Sequence, residues 1–227
     1  MELNVLDRLY VNDGNCELIA QLDLCGRLLD VGCGNGANAT LVLARHPLAV
    51  VDGITISRSE ADIAVKKMQR CWVFDVEQPF PPDLECTVYD AMVFSHVLEH
   101  LKDPAETLRQ FARLLTVGGQ ILIAVPNTLV WRQRIEFLFG RFQYAEHGLL
   151  DDTHLRFMTF NSAVPFLLAK CPPLRVVGHS ASGSVPLWWL RRYILPRSWS
   201  ERIDALGCKW WPNLFGSQVL IKLVKHA

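Results

Sequence analysis

Through the first 125 residues of this 227-residue chain, short apolar runs alternate with stretches of helical periodicity. That rhythm marks βαβ units, and hence an α/β protein whose mostly parallel, doubly wound sheet is covered by helices on both faces. The runs are Arg27 to Val31, Leu48 to Asp52, Cys71 to Phe74, Ala91 to Ser95 and Gln120 to Val125. A helix is expected over Ala37 to Arg45, stopped before Pro47, and another after Ser57, where Ser57 and Glu60 have the spacing of a capping box. Asp103-Pro104-Ala105-Glu106 starts a third, with a stripe of Leu108, Phe111, Ala112 and Leu115, and Gly118-Gly119 is expected to end it. After Pro126 the pattern changes to a helix (Leu129 to Phe139), a polar loop (Ala145 to Met158), a capped helix (Asn161 to Lys170) and two last strands (Leu174 to His179, Ser217 to Val224). One domain over residues 1–227 is expected, with a lid at 129–160 and a Trp/Arg-rich insertion at 185–212.

Charge and cysteine usage narrow the partners. Lys and Arg number 23 against 23 Asp and Glu, without a long run of one sign, so the basic excess that nucleic-acid binding needs is missing. Small-molecule partners come first. Cys16, Cys25, Cys33, Cys71, Cys86, Cys171 and Cys208 make an odd number with no CxxC pair, which fits a reducing, cytoplasmic compartment better than a disulfide framework or a cysteine-based zinc site. Met1 to Tyr10 carries Glu2, Asp7 and Arg8 among its apolar residues, unlike a signal peptide. No stretch reaches the roughly 18 uninterrupted apolar residues of a membrane-spanning helix.

Arg27 to Gly36 reads RLLDVGCGNG, a strand running into three alternate glycines and then a helix. Such a turn brings bare main chain close to a ligand and aims free N–H groups over the helix start. Gly32-x-Gly34-x-x-Ala37 also satisfies the dinucleotide fingerprint, with Asp52 near the distance of a ribose-binding acid, so an NAD-dependent oxidoreductase is one reading. Asp30 favours another, because a carboxylate two residues before the first glycine suits a cationic amino-acid tail and repels a pyrophosphate.

With LLDVGCGNG, AVVDGITIS, VFDVEQPFP, YDAMVFSHVLEHL, DPAE and VGGQILIAVPN in that order, the chain from about Gly26 to Asn127 resembles the class I S-adenosylmethionine-dependent methyltransferases. The resemblance implies a Rossmann-like, seven-stranded mixed sheet and S-adenosyl-L-methionine as cofactor. It implies that Asp30, Gly32, Gly34 and Gly36 line the methionine moiety and ribose, that Asp75 and Val76 meet the adenine, and that Ser95 and His96 lie beside the donor. The family's ribose-gripping acid, in a G-I-D-x-S pattern, is replaced here by Thr55 in Gly53-Ile54-Thr55-Ile56-Ser57, as in the similar cyclopropane fatty acid synthase branch. Asp52 would point to the opposite face unless its strand has already ended.

Methyl transfer from a sulfonium needs mainly alignment, and a hydroxyl acceptor also needs a base to take its proton. His96 and His100 stand in SHVLEH, where the family resemblance implies that Glu99 and His100 hold the loop in place. The stretch Leu150-Asp151-Asp152-Thr153-His154-Leu155-Arg156-Phe157 resembles the LDxTHLRF segment of a bacterial methyltransferase subgroup associated with glycan or cell-surface polymer modification. His154 is therefore expected to be the general base with Asp151 as its orienting partner, and His96 a contact to donor or acceptor. An ion-pair network of Asp151, His154 and Arg156 that fixes the lid loop is the alternative. No metal site is expected, since His147, Asp151 and His154 offer ligand atoms without a recognised spacing. The acceptor is expected to be a hydroxyl of a sugar, a lipid-linked intermediate or a small metabolite; a non-catalytic interaction module is the reading that Thr55 keeps open. Trp188, Trp189, Trp199, Trp210 and Trp211, interleaved with Arg191, Arg192, Arg197 and Arg202, suit either peripheral membrane contact or core and dimer packing, with Arg191 and Arg192 as a solvated helix face in the second case.

Overall fold

Strands covered on both faces must be apolar at consecutive positions, and β1 (Arg27–Val31) is buried from its second residue onward for that reason. The computed structural model describes residues 13–226 apart from 24, 147 and 172, with only the backbone at 192. His147 and the segment Met1 to Tyr10 thus lie outside the described residues. The elements run α1 (Cys16–Ile19), β1, α2 (Ala37–Arg45), β2 (Val50–Thr55), α3 (Arg58–Ala64), β3 (Arg70–Val73), α4 (Pro82–Glu85), β4 (Tyr89–Ser95), α5 (Pro104–Phe111), β5 (Leu115–Pro126), α6 (Trp131–Leu138), α7 (Phe160–Leu167), β6 (Leu174–Gly183), α8 (Trp188–Ile194), α9 (Arg197–Trp210), α10 (Pro212–Phe215) and β7 (Gly216–Lys225). They build one seven-stranded sheet in the order β3-β2-β1-β4-β5-β7-β6. β1 to β5 pair parallel, and β7 enters antiparallel between β5 and β6.

Alternation along each strand divides the core into two layers. Leu29, Val31, Ile54, Met92, Phe94, Ile121 and Ile123 pack on one face, where Phe111 of α5 meets Phe94 and Phe80 edge to face. Leu28, Val51, Ala91, Val93 and Leu122 pack on the other, beneath α1 and α2. Strand order reverses between β1 and β4, and such a switch point leaves a crevice beyond the carboxyl ends of the strands.

Several boundaries differ from the sequence expectation. β2 runs to Thr55 instead of Asp52, because pairing with β1 matches Arg27 to Val50 through Val31 to Ile54, while Leu48 stays in solvent. Gly53 is needed inside it: a Cβ there would lie 2.5 Å from Met68 Sδ and 2.8 Å from Cys33 Sγ. The helix of Pro104 ends at Phe111, and Gly118-Gly119 instead lies within β5, in an irregularity where Tyr89 pairs with Leu115 and Ala91 with Gln120. α7 starts at Phe160 on a Thr159–Ser162 capping box. Residues 185–212 carry α8 and α9, and α9 packs on β6 at the sheet edge. Arg191 does not belong to a solvated face: its guanidinium pairs with Asp204 at 2.6 Å and bonds the Val185 carbonyl, tying α8 to α9. All five tryptophans of this segment are exposed, between 42% and 71%, so none of them serves as core. Among the described residues no helix is long and apolar enough to cross a membrane.

Candidate active site

The turn after β1 has a backbone only glycine adopts readily. Gly32 (φ 73°), Gly34 (φ 51°) and Gly36 (φ 77°) are all left-handed, and a Cβ on Gly32 would come within 2.2 Å of Val97 Cγ2. Behind the turn, Asp30 is fully buried; its Oδ1 accepts the Asn38 amide at 3.3 Å, whereas its Oδ2 has no hydrogen-bond partner. Burial pushes the carboxyl up to about 7, against the lowering effect of Asn38. A buried, half-satisfied carboxylate behind open main chain fits the ammonium of an amino-acid tail, which would supply the missing donor.

Outside the carboxyl ends of β1 and β4 opens a cavity of about 390 Å³, lined by Gly32, Cys33, Asn38, Ser95, His96 and Gln218 together with residues 14–17. Small-molecule sites occupy roughly 300–1,000 Å³. Its roof is a hydrogen-bond chain from distant segments: Asn15 donates to the Gln218 side-chain oxygen at 2.9 Å, and Gln218 donates to Glu17 at 3.0 Å. His96, directly after β4, is itself left-handed (φ 57°), an uncommon conformation for a residue with a side chain. Its Nδ1 faces Glu99 Oε1 at 3.3 Å and its Nε2 faces Gln218 Oε1 at 3.1 Å. Crowding by protein lowers the imidazole pKa, but the hydrogen bond and charge of Glu99, with help from Gln218, outweigh it and hold the group above its ordinary value. Glu99 is fully buried, and its second oxygen has no partner.

The loop carrying the second group of histidines is stitched to this segment. Leu155 and Arg156 N–H both donate to the Glu99 carbonyl at 2.9 Å, and the Arg156 guanidinium bonds the Lys102 carbonyl. Asp151 does not orient His154. Its Oδ1 instead accepts the Thr153 N–H at 2.9 Å and hydroxyl at 2.5 Å, because the chain turns back at Thr153 and brings those donors closer than any ring nitrogen. The imidazole of His154 is fixed by the Leu149 carbonyl, 3.2 Å from Nδ1, and does not line the cavity. The ion-pair network expected of Asp151, His154 and Arg156 is not formed: the three bond separately to Thr153, the Leu149 carbonyl and the Lys102 carbonyl, because the turn at Thr153 and the backbone supply the nearer partners.

Residues 9–162 match a family model described as a methyltransferase domain. The chain belongs to that family. Among its relatives, the ubiquinone biosynthesis O-methyltransferase of Neisseria meningitidis is 32% identical over 111 residues, which is 46% of this chain and 46% of that protein. The trans-aconitate 2-methyltransferase of Methylobacterium nodulans is 28% identical over 120 residues, 50% of this chain and 44% of the relative. The chain thus spans about half the length of the curated relatives it matches. A crystal structure of a SAM-dependent methyltransferase from Archaeoglobus fulgidus aligns over 93% of this chain and 95% of its own with a TM-score of 0.61 at 21% identity, a likeness of fold. The seven-stranded mixed sheet is the Rossmann-like methyltransferase fold.

In this methyltransferase domain Gly32, Ser95 and His96 line the cavity, while Asp30, Gly34, Gly36, Thr55, Asp75 and Val76 do not. Thr55 ends β2 almost fully buried, and its hydroxyl donates to Glu60 at 2.6 Å. A buried carboxylate therefore stands beside the position where the G-I-T-I-S pattern lacks one, supplied from α3. Asp52 is committed elsewhere, to Arg27 at 2.9 Å and the Tyr89 hydroxyl at 3.1 Å on the opposite face of β2. Asp75 sits exposed just past β3 with Oδ1 on the Glu77 N–H, and the Val76 side chain lies in the core, so only main chain is left to it for ligand contact. Sequence reading missed Asn15, Glu17, Asn38, Glu60 and Gln218. Glu60 carried a signal, as an acid five residues past the aberrant threonine. Gln218 carried none, because its place depends on β7 inserting beside β5.

Proposed function

We propose that this domain transfers the methyl group of S-adenosylmethionine to a hydroxyl oxygen of a lipid-linked acceptor, with His96 as the group that takes the proton. The carrying observation is the unpartnered, buried oxygen of Asp30 behind three left-handed glycines, a place for a positive charge against bare main chain. A pyrophosphate there would face that acid, at about 4 kcal/mol for like unit charges 4 Å apart at an effective dielectric of 20, which weighs against nicotinamide cofactors. When bound, the sulfonium supplies an already activated methyl group. Asp30 then holds the ammonium, the glycine turn admits the tail, and the Thr55–Glu60 pair faces the ribose hydroxyls.

An acceptor hydroxyl entering the cavity takes the position of Gln218 at His96 Nε2. Nδ1–H stays on Glu99, which keeps the ring oriented and stabilises it once it holds the proton. His96 serves better than His154 because it lines the cavity. The exposed Trp188, Trp189, Trp199, Trp210 and Trp211, with Arg197, Arg202 and Lys209 also exposed, support a lipid-linked acceptor: indoles and cations together suit the boundary between water and lipid head groups. Incubated with radiolabelled donor and cell extract, the protein should label the fraction extracted by organic solvent. Label confined to water-soluble small molecules overturns the lipid assignment, and label in no fraction overturns methyl transfer.

Asp30 gives the site a pH dependence of definite sign. Cation binding needs the ionised carboxylate, so below about 7 the site must lose a proton before it binds. Affinity for S-adenosylhomocysteine should fall as the pH drops through that value, by at most about tenfold per unit. Asp30→Asn should bind weakly with a flat profile. Calorimetry across the range checks both, and a flat native profile would remove Asp30 from the site.

A further inference from the structure

One ligand atom from each of Glu99, His100 and His154 lies within 4.8 Å of the other two. We propose that these three side chains form a binding site for a divalent transition-metal ion of the zinc class. The inference does not rest on the donor-binding reading, since none of the three is needed to hold the donor; only Glu99 is shared with the proposed chemistry, through Oε1 on His96.

Hydrogen bonds around the two rings set their tautomers. The Thr153 hydroxyl gives its proton to Asp151, so towards His100 it accepts; His100 Nδ1–H therefore donates to Thr153, whose Oγ1 is 3.0 Å and carbonyl 3.3 Å away. His154 Nδ1–H donates to the Leu149 carbonyl at 3.2 Å. Both Nε2 atoms are left as bare lone pairs, without a hydrogen-bond partner among the described residues. A ring whose other N–H is pinned by a carbonyl or carboxylate is the arrangement in which histidine binds metals, and the Asp151–Thr153–His100 chain has that form.

The third ligand supplies the independent sign of a missing partner. Glu99 is fully buried, spends Oε1 on His96, and leaves Oε2 without any donor. An orphaned carboxylate oxygen in protein costs several kcal/mol unless something positive meets it. Burial, with the neighbouring His100, also depresses the His154 pKa against the pull of Glu99, which keeps the ring in its metal-binding form. Two imidazoles and one carboxylate select borderline ions such as zinc, cobalt or nickel over calcium or magnesium. Ligand atoms around tetrahedral zinc stand roughly 3.4 Å apart, so a set already within 4.8 Å can close on an ion by small side-chain rotations. Three protein ligands also leave coordination positions open, as catalytic sites do.

The test is titration of the full chain with Co2+ alone. Expected are visible d–d bands that saturate at one ion per chain, without the near-ultraviolet charge-transfer band of thiolate ligation that the seven cysteines could otherwise give. His154→Gln should abolish the bands. Thr153→Val, which removes only the pin on His100, should keep them and weaken affinity about ten- to a hundredfold. S-adenosylhomocysteine binding, measured on the same samples, should be unchanged in both variants, and a native chain that binds Co2+ but no S-adenosylhomocysteine would count against the methyltransferase reading and not against the metal. Absence of d–d bands, a thiolate band, or undiminished affinity in Thr153→Val overturns the site, and Thr153→Val decides if His154→Gln fails to fold.

Discussion

A Gly34→Arg chain is expected to bind no S-adenosylhomocysteine while keeping its fold. Gly34 is left-handed at φ 51°, so any side chain there costs about 1–2 kcal/mol of backbone strain. For a chain of this length that is a loss of roughly 2–8 °C in Tm, which circular dichroism will follow as a cooperative transition displaced but preserved. The larger effect is local. A guanidinium over the start of α2 fills the space meant for the donor and offers its own charge to the unpartnered oxygen of Asp30. Calorimetry that found native affinity in this variant would show the donor site to be elsewhere.

Turnover of a His96→Asn chain should fall by about a hundredfold or more, the usual worth of a positioned base, with donor affinity within a few-fold of native. Asparagine is chosen because it tolerates the left-handed backbone that His96 adopts, so the loss is chemical and not conformational. Single-turnover methyl transfer to the identified acceptor reads the effect. Should the variant react at the native rate, His96 is a structural residue holding Gln218, and the proton leaves by another route.

Much of the domain is legible in the sequence. The alternation of apolar runs and helical patterns located the five parallel strands, the two apolar stretches after Pro126 located the last pair, and the caps at Ser57 and Asp103 accept the N–H of Glu60 and Glu106 as their spacing implied. The glycine turn and Asp30 were readable as well, since their chemistry lies within ten residues of sequence. Less legible were roles that depend on register: extending β2 to Thr55 kept Asp52 on the face of Arg27 and Tyr89, and brought Thr55 to Glu60. The hydrogen-bond partner of Asp151 was not legible either, because a turn at Thr153 brings that residue's N–H and hydroxyl to its carboxylate.

By itself the sequence determined the elements, the order of the parallel strands' motifs and the main-chain turn that admits a cationic cofactor, because propensity, periodicity and capping act between residues a few positions apart. Only the tertiary structure decided that Gln218 of β7 and Asn15 close the cavity over His96, that Glu99 keeps one oxygen unmet between His96 and two imidazoles from 100 and 154, and that five tryptophans face outward. Apart from the neighbours of Glu99 at 96 and 100, those contacts join residues from about 50 to more than 200 positions apart, and strand insertion and core packing, not any local pattern, select which of many such pairs meet.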